Sequence, residues 1–310
     1  MKPCIPVALF IFNRPELARR VLARIRAAAP RVLFVVADGP RPDRPDEAER
    51  CAEVRRVVEL GVDWPCEVIR EYSPVNLGCA RRVSSGLEKI FVREEEAIIL
   101  EDDCLPDASF FTYCAELLDR FRSDSRIGVI AGSNFQRRDV TSGMSYYFSR
   151  YPHCWGWATW RRAWRSYDHA MTAWPEAKRR GWLQHYLGRR DEAAYWERIF
   201  DHTHAGLIDS WAYRWTFACW QHEVLSVLPA GNLVTNIGFG HDATHPQTLI
   251  VMGPSNSVGV RPLRHPGRIE RNARADRYTY THHFNPSRWL SRWRRLVQVC
   301  TRPISQQGAC

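Results

Sequence analysis

Glu101, Asp102 and Asp103 follow directly on the apolar run Ala97-Ile98-Ile99-Leu100, so three successive carboxylates stand at the end of what reads as a buried strand. Strand ends of open α/β sheets are where ligands bind. Adjacent like charges repel when partly buried, which makes a hard divalent cation or a hydroxylated ligand their natural companion. Carboxylates also cap helix N-termini, but Asp107 and Ser109 stand nearer the helix that follows and can cap it themselves.

Three further strand ends carry polar groups of the same kind. Asn13-Arg14 follows the first strand, Asp38-Gly39-Pro40 the second, and Asn76-Leu77-Gly78 with Arg81-Arg82 the third. Right-handed crossovers bring all four ends to one edge. Arg14 with Arg81 or Arg82 suits phosphate oxygens, Asp38 a base edge, Asp102 ribose hydroxyls, and Asp103 a Mn²⁺ or Mg²⁺ ion bridging to a diphosphate. Taken singly, Asp38-Gly39-Pro40 is an ordinary turn and the arginines a solvated helix face.

The elements that must position these groups are legible as alternating patterns over the first 130 residues. Strands are expected at 7–12, 32–37, 67–72, 97–100 and 127–131, and helices at 16–28, 46–60, 79–91 and 109–121, the pattern of a mostly parallel sheet flanked by helices. Ten of the 13 tryptophans then fall between Trp155 and Trp220, with helical patterns at 175–187, 192–204 and 210–221 and short strands at 225–228 and 233–237. The expected division is residues 1–252 as one domain, with a nucleotide-binding half to 135 and a tryptophan-rich acceptor half from 136, followed by an extended tail over 253–310.

The 310 residues carry a formal charge of +10. Arg261 to Cys310 holds 11 arginines, no lysine and two acids, so the rest is nearly neutral and nucleic-acid binding has only the tail to support it. With Trp289, Leu290, Trp293, Leu296 and Val297 among its arginines, that tail suits an anionic membrane surface as well as it suits a solvated strand of chain. No run reaches the roughly 20 apolar residues of a membrane span, and the chain moves straight into a strand pattern, so a cytoplasmic protein is expected, peripheral on the inner membrane face at most. Ten cysteines without a C-x-x-C unit read as reduced, mostly buried thiols.

Glu101-Asp102-Asp103, followed by Leu105-Pro106-Asp107 and Phe110-Phe111, resembles the acidic segment of GT-A fold glycosyltransferases, most closely the N-acetylglucosaminyltransferase I type, and bacterial glycosyltransferase-like proteins of the nucleotide-diphospho-sugar transferase superfamily. The resemblance covers roughly residues 5–245 and is looser after the acids. It implies a GT-A fold and metal-dependent transfer of a sugar from a nucleotide diphosphate sugar, a UDP-sugar foremost, to a glycan or lipid-linked hydroxyl. It places Asn13, Arg14, Asp38, Arg81, Glu101 and Asp102 around the donor and Asp103 on the metal, and Asn76, at the end of the third strand, is expected to join the donor site.

An inverting member also needs a base for the acceptor hydroxyl. Asp209 stands where the family places it, although before Ser210 it also reads as an N-cap of its own helix. Glu223 and Asp242 stand in reserve. His241 and His245, on a glycine-rich loop, could complete the metal shell or meet the diphosphate. Trp155 and Trp157 could stack on sugar, and equally could be core. Two alternatives remain open. A nucleotidyltransferase would share the sheet, but Phe12-Asn13-Arg14-Pro15 has none of the glycines of a phosphate loop; a carbohydrate-binding protein would need no metal.

Overall fold

The computed structural model describes residues 5–238 and 262–285. The chain runs β1 (Val7–Ile11), α1 (Pro15–Ala28), β2 (Val32–Ala37), α2 (Glu47–Gly61), β3 (Glu67–Tyr72), α3 (Cys79–Arg93) and β4 (Glu96–Glu101). It continues with β5 (Cys104–Pro106), α4 (Ala108–Arg120), β6 (Ile127–Ala131), β7 (Tyr146–Ser149), β8 (Trp157–Trp160) and α5 (Arg161–Trp164). The helical part is α6 (Trp174–Arg179), α7 (Trp182–Leu187), α8 (Arg190–His204) and α9 (Trp211–Gln221), followed by β9 (Leu225–Pro229), β10 (Val234–Asn236) and α10 (Ala273–Thr279).

Eight strands form one mixed, mostly parallel sheet in the order β3-β2-β1-β4-β8-β6-β9-β7, and β5 pairs antiparallel with β10 outside it. β1, β2 and β4 are buried on both faces because helices cover both, whereas the edge strand β3 stays partly exposed. Leu9, Ile11, Leu33, Val35, Ile98 and Leu100 face the layer containing α1, α2 and α4, whereas Ala8, Phe10, Phe34, Val36 and Ile99 face the tryptophan-rich layer, as a period of two requires. The order reverses at β1, which has β2 on one side and β4 on the other; such a switch point opens a crevice at the strands' C-terminal ends. Arg14 follows β1 and Glu101 ends β4, so both lie at that crevice.

Four expectations are corrected. The helix expected over 175–187 is two short helices, because Gly181 adopts a left-handed φ of +63° that ends one and starts the next. Trp157, expected beside a pocket, lies in central strand β8 between β4 and β6. β5, β7 and β8 have no counterpart in the expected pattern. Part of the expected tail folds back: α10 buries Ala275, and a following π-helical turn, Tyr280–Phe284, buries Tyr280. Asp276 anchors this segment, accepting from Ser149 Oγ at 2.5 Å and lying 3.5 Å from Nε of both Arg150 and Arg271. Among the described residues no helix is long and apolar enough to cross a membrane. The tail tryptophans at 289 and 293 lie outside the described residues.

Candidate active site

β4 delivers Glu101 to the sheet edge, and the turn into β5 carries Asp102 and Asp103. Asp103 Oδ2 meets Arg14 Nη1 at 3.1 Å across the β1–β4 crevice. Asp102 accepts a hydrogen bond from the backbone N–H of Phe12 at 3.1 Å, tying the same two tips together. The position of Asp103 is fixed from a third side by β10, since Ile237 N–H donates to its carbonyl at 2.8 Å. Gly238 then lies directly on the pair: a Cβ there would stand 2.5 Å from Asp103 Oδ2 and 3.0 Å from Arg14 Nη1, so only glycine passes.

The electrostatics are those of crowded anions. Burial, then the charges of Asp103 and Asp102, push the Glu101 carboxyl up to about 8. Burial and the Asp103 charge push Asp102 up to about 7. Cys154 is pushed up to about 12 by burial and by Glu101, which places a protonated thiol beside the acids. A bound cation would relieve this repulsion directly. Among the described residues no group of three or more His, Cys, Asp or Glu side chains is arranged to hold a metal ion. The donor set therefore fits an ion that takes one or two carboxylates and draws its other oxygens from a phosphate ligand and water, the habit of Mg²⁺. His241 and His245, and the reserve Asp242, lie outside the described residues, beyond Gly238.

The other expected donor residues are brought to this edge with changed duties. Asp38 is buried and folds the β3–α3 loop, accepting from the N–H groups of Gly39, Leu77 and Gly78 at 2.9–3.1 Å. Asn76 closes the same loop, donating to the Gly39 carbonyl at 2.8 Å. A carboxylate under a loop satisfies the loop's own N–H groups first, so Asp38 holds the loop that borders this edge. Asn13 donates to Glu47 at 3.0 Å. Arg81 is exposed on α3, while its neighbour Arg82 is 7% exposed with Nε and Nη2 unpartnered. The sequence left the two open; Arg82 shares its helix face with Gly86 and Ile90 at four-residue spacing, the signal that it turns inward.

Asp209 reaches the start of α3 from a distant part of the chain. Its carboxylate accepts from Cys79 N–H at 2.8 Å and Ala80 N–H at 3.0 Å, so it caps α3, 130 positions away, while its own helix begins after Ser210 without a side-chain cap. Gly78, with φ +78°, permits this approach: a Cβ would stand 2.6 Å from Asp209 Oδ2. Glu223 is exposed beyond the end of α9.

Of the two expected aromatic residues, Trp157 is 1% exposed and stacked on Trp211 at 5.3 Å, a core residue. Trp155 stays half-buried, edge-on to Phe135 at 5.2 Å, and the sequence had no signal for its other neighbour, His283, supplied by the C-terminal segment. His153 beside them is 3% exposed, and burial pushes it down to about 4. Folded His153 therefore stays neutral while the unfolded chain takes its proton below about pH 6.5, and stability is lost as pH falls from there towards 4. Relative to the parent, His153→Asn is expected to gain about 2 kcal/mol between pH 7.5 and pH 5. Denaturant unfolding of both chains at the two pH values checks this; a pH-independent difference refutes it. The opposite trend of Glu101 and Asp102 cancels because both chains carry them.

No family model and no curated protein matches the chain. Among solved structures, it is similar to a UDP-glucose pyrophosphorylase complexed with UDP-glucose (11% identity, TM-score 0.28) over 48% of this chain and 64% of that one. It is similar to a UTP-bound UGPase from Acinetobacter baumannii (12% identity, TM-score 0.31) over 54% and 79% of the two chains. A third is 4-diphosphocytidyl-2C-methyl-D-erythritol synthase from Anaerococcus prevotii (10% identity, TM-score 0.31; 51% and 72%). All three names fall with the nucleotidyltransferase alternative and none is a glycosyltransferase, but overlaps this partial carry no weight for function.

Proposed function

We propose that the chain binds a nucleotide diphosphate sugar in the β1–β4 crevice and transfers its sugar to a hydroxyl acceptor. The observation that carries this reading is Asp103 at the tip of β4, paired with Arg14 at the tip of β1 and flanked by two carboxylates whose proton affinity is raised. Arg14 faces the diphosphate; Asp103 is the residue that would hold a Mn²⁺ or Mg²⁺ ion, and Glu101 and Asp102 take hydroxyls of ribose and sugar. A bound cation supplies charge neutralisation to the departing diphosphate. In the transfer, the acceptor oxygen bonds to the anomeric carbon, the bond from that carbon to the diphosphate breaks, and the hydroxyl proton passes to Asp209. Each Asp209 oxygen keeps a second lone pair after accepting its backbone hydrogen bond, which leaves the carboxylate able to serve.

The nucleotidyltransferase reading is favoured by the same residue. A phosphate nucleophile is already ionised and needs no base, and here the leading base candidate, Asp209, caps a helix. Against it, only residues 12–14 separate β1 from α1, too short a connection for a phosphate-cradling loop. The two are separated by incubating the protein and Mn²⁺ with UDP-sugars and hydroxyl acceptors, then with UTP and sugar 1-phosphates. Release of UDP without pyrophosphate supports sugar transfer, and release of pyrophosphate overturns it.

A further inference from the structure

Of the ten tryptophans between Trp155 and Trp220, eight are core; Trp155 and Trp182 keep exposed surface. Trp155 belongs to the site above. Trp182 does not: it opens α7 and lines a separate cavity of about 160 Å³ between α6, α7 and the first two turns of α8. That volume is below the roughly 300 Å³ at which drug-sized pockets begin, so the cavity admits a single ring and not a nucleotide.

Its walls are held in place from behind. Tyr186 stacks along Trp182 at 5.3 Å, and Phe217 meets it edge-on at 5.8 Å. Trp174 donates through Nε1 to Asp201 Oδ1 at 3.1 Å, and Lys178 is committed to Asp201 Oδ2 at 2.7 Å and to Glu197 at 3.8 Å. Gly181, with its left-handed φ, and Ala193 and Ala194 present no bulk that would fill the space. Arg190, exposed on the rim, has no ion pair among the described residues, although its chain neighbour Arg189 has two. An indole wall, a cation available for a carboxylate, and amide and carboxylate groups for hydroxyls form the chemistry of an acidic sugar site.

We propose that this cavity is a second carbohydrate subsite, holding one pyranose ring of an acidic glycan with its C–H face on Trp182, its carboxylate on Arg190 and its hydroxyls on Gln184 and Glu197. The choice of a glycan rests on the sugar-transfer reading above; the subsite would hold acceptor chain away from the donor crevice. Isothermal titration of the full chain with a glucuronate-containing disaccharide tests it, with cellobiose as the neutral comparison. The acidic disaccharide is expected to bind about tenfold more tightly than cellobiose, and Trp182→Ala and Arg190→Ala are each expected to weaken it about tenfold. Absence of binding to the parent, equal affinity for the two disaccharides, or unchanged affinity in both variants overturns the proposal. Asp103→Ala is expected to bind the acidic disaccharide like the parent even though the donor site is damaged. Loss of binding there would assign the ligand to the donor crevice and end the case for a separate subsite, whereas failure of the donor assays alone would leave this result intact.

Discussion

Asp103→Ala is expected to lower turnover about 10³-fold while leaving the melting temperature of the free protein within about 2 °C of the parent or slightly above it. The loss follows from charge: a metal-held diphosphate gains several kcal/mol of stabilisation as it departs, and a carboxylate bound to that metal cannot be replaced by a methyl group. The small effect on the fold follows from the same crowding that marks the site. Asp103 is a cause of the raised proton affinity of both Glu101 and Asp102, so removing its charge relieves two buried carboxyl groups. Its own partner, Arg14, has 20% of its side chain accessible and can recover hydration. The paired measurement is steady-state turnover with a thermal-shift series of nucleotide diphosphates, with and without Mn²⁺. A ligand that binds only the native state raises the melting point, and the Mn²⁺-dependent part of that rise should vanish in the variant and in the parent treated with EDTA. A variant that keeps the full Mn²⁺-dependent rise would remove Asp103 from the metal.

The second large effect belongs to Asp209→Asn, expected to reduce kcat by 10²–10⁴-fold with the KM for the nucleotide sugar changed less than about threefold. Asparagine has one acceptor oxygen where aspartate has two, so it can keep only one of the bonds to Cys79 and Ala80 N–H, and about 1 kcal/mol of stability should go with the other. A helix cap alone would show that stability loss with kcat nearly intact. A base shows in addition the loss of kcat with the KM for the nucleotide sugar nearly unchanged. A stable variant with full kcat would leave Asp209 a cap, and the nucleotidyltransferase reading would gain, because that reaction needs no protein base.

Strands β1 to β4 and β6 and the first four helices were legible because they repeat with fixed periods. Leu9, Leu33 and Leu100 alternate with Ala8, Phe34 and Ile99 on strands buried on both faces, and Val21, Leu22 and Ile25 recur on one side of α1. The acids were legible for a related reason: carboxylates directly after an apolar strand can only emerge at a sheet edge. β8 was not, since Trp157-Ala158-Thr159-Trp160 joins β4 and β6 antiparallel across a long stretch of chain and nothing local marks it. Nor was the return of α10, in which Asp276 meets Arg150 and Arg271 inside a segment whose composition alone reads as tail.

Sequence by itself determined the alternating architecture and the presence of an anionic strand tip, because both depend on periodicity and on residues adjacent in the chain. Tertiary structure decided which groups meet: Asp103 with Arg14, Asp209 with the first N–H groups of α3, and Asp38 with the loop that covers it. Those pairings span 39 to 130 positions and depend on strand order and on the close approach permitted at Gly78 and Gly238. A backbone N–H or a charge takes whatever partner the fold brings within 3 Å, and the linear order of residues does not record that distance.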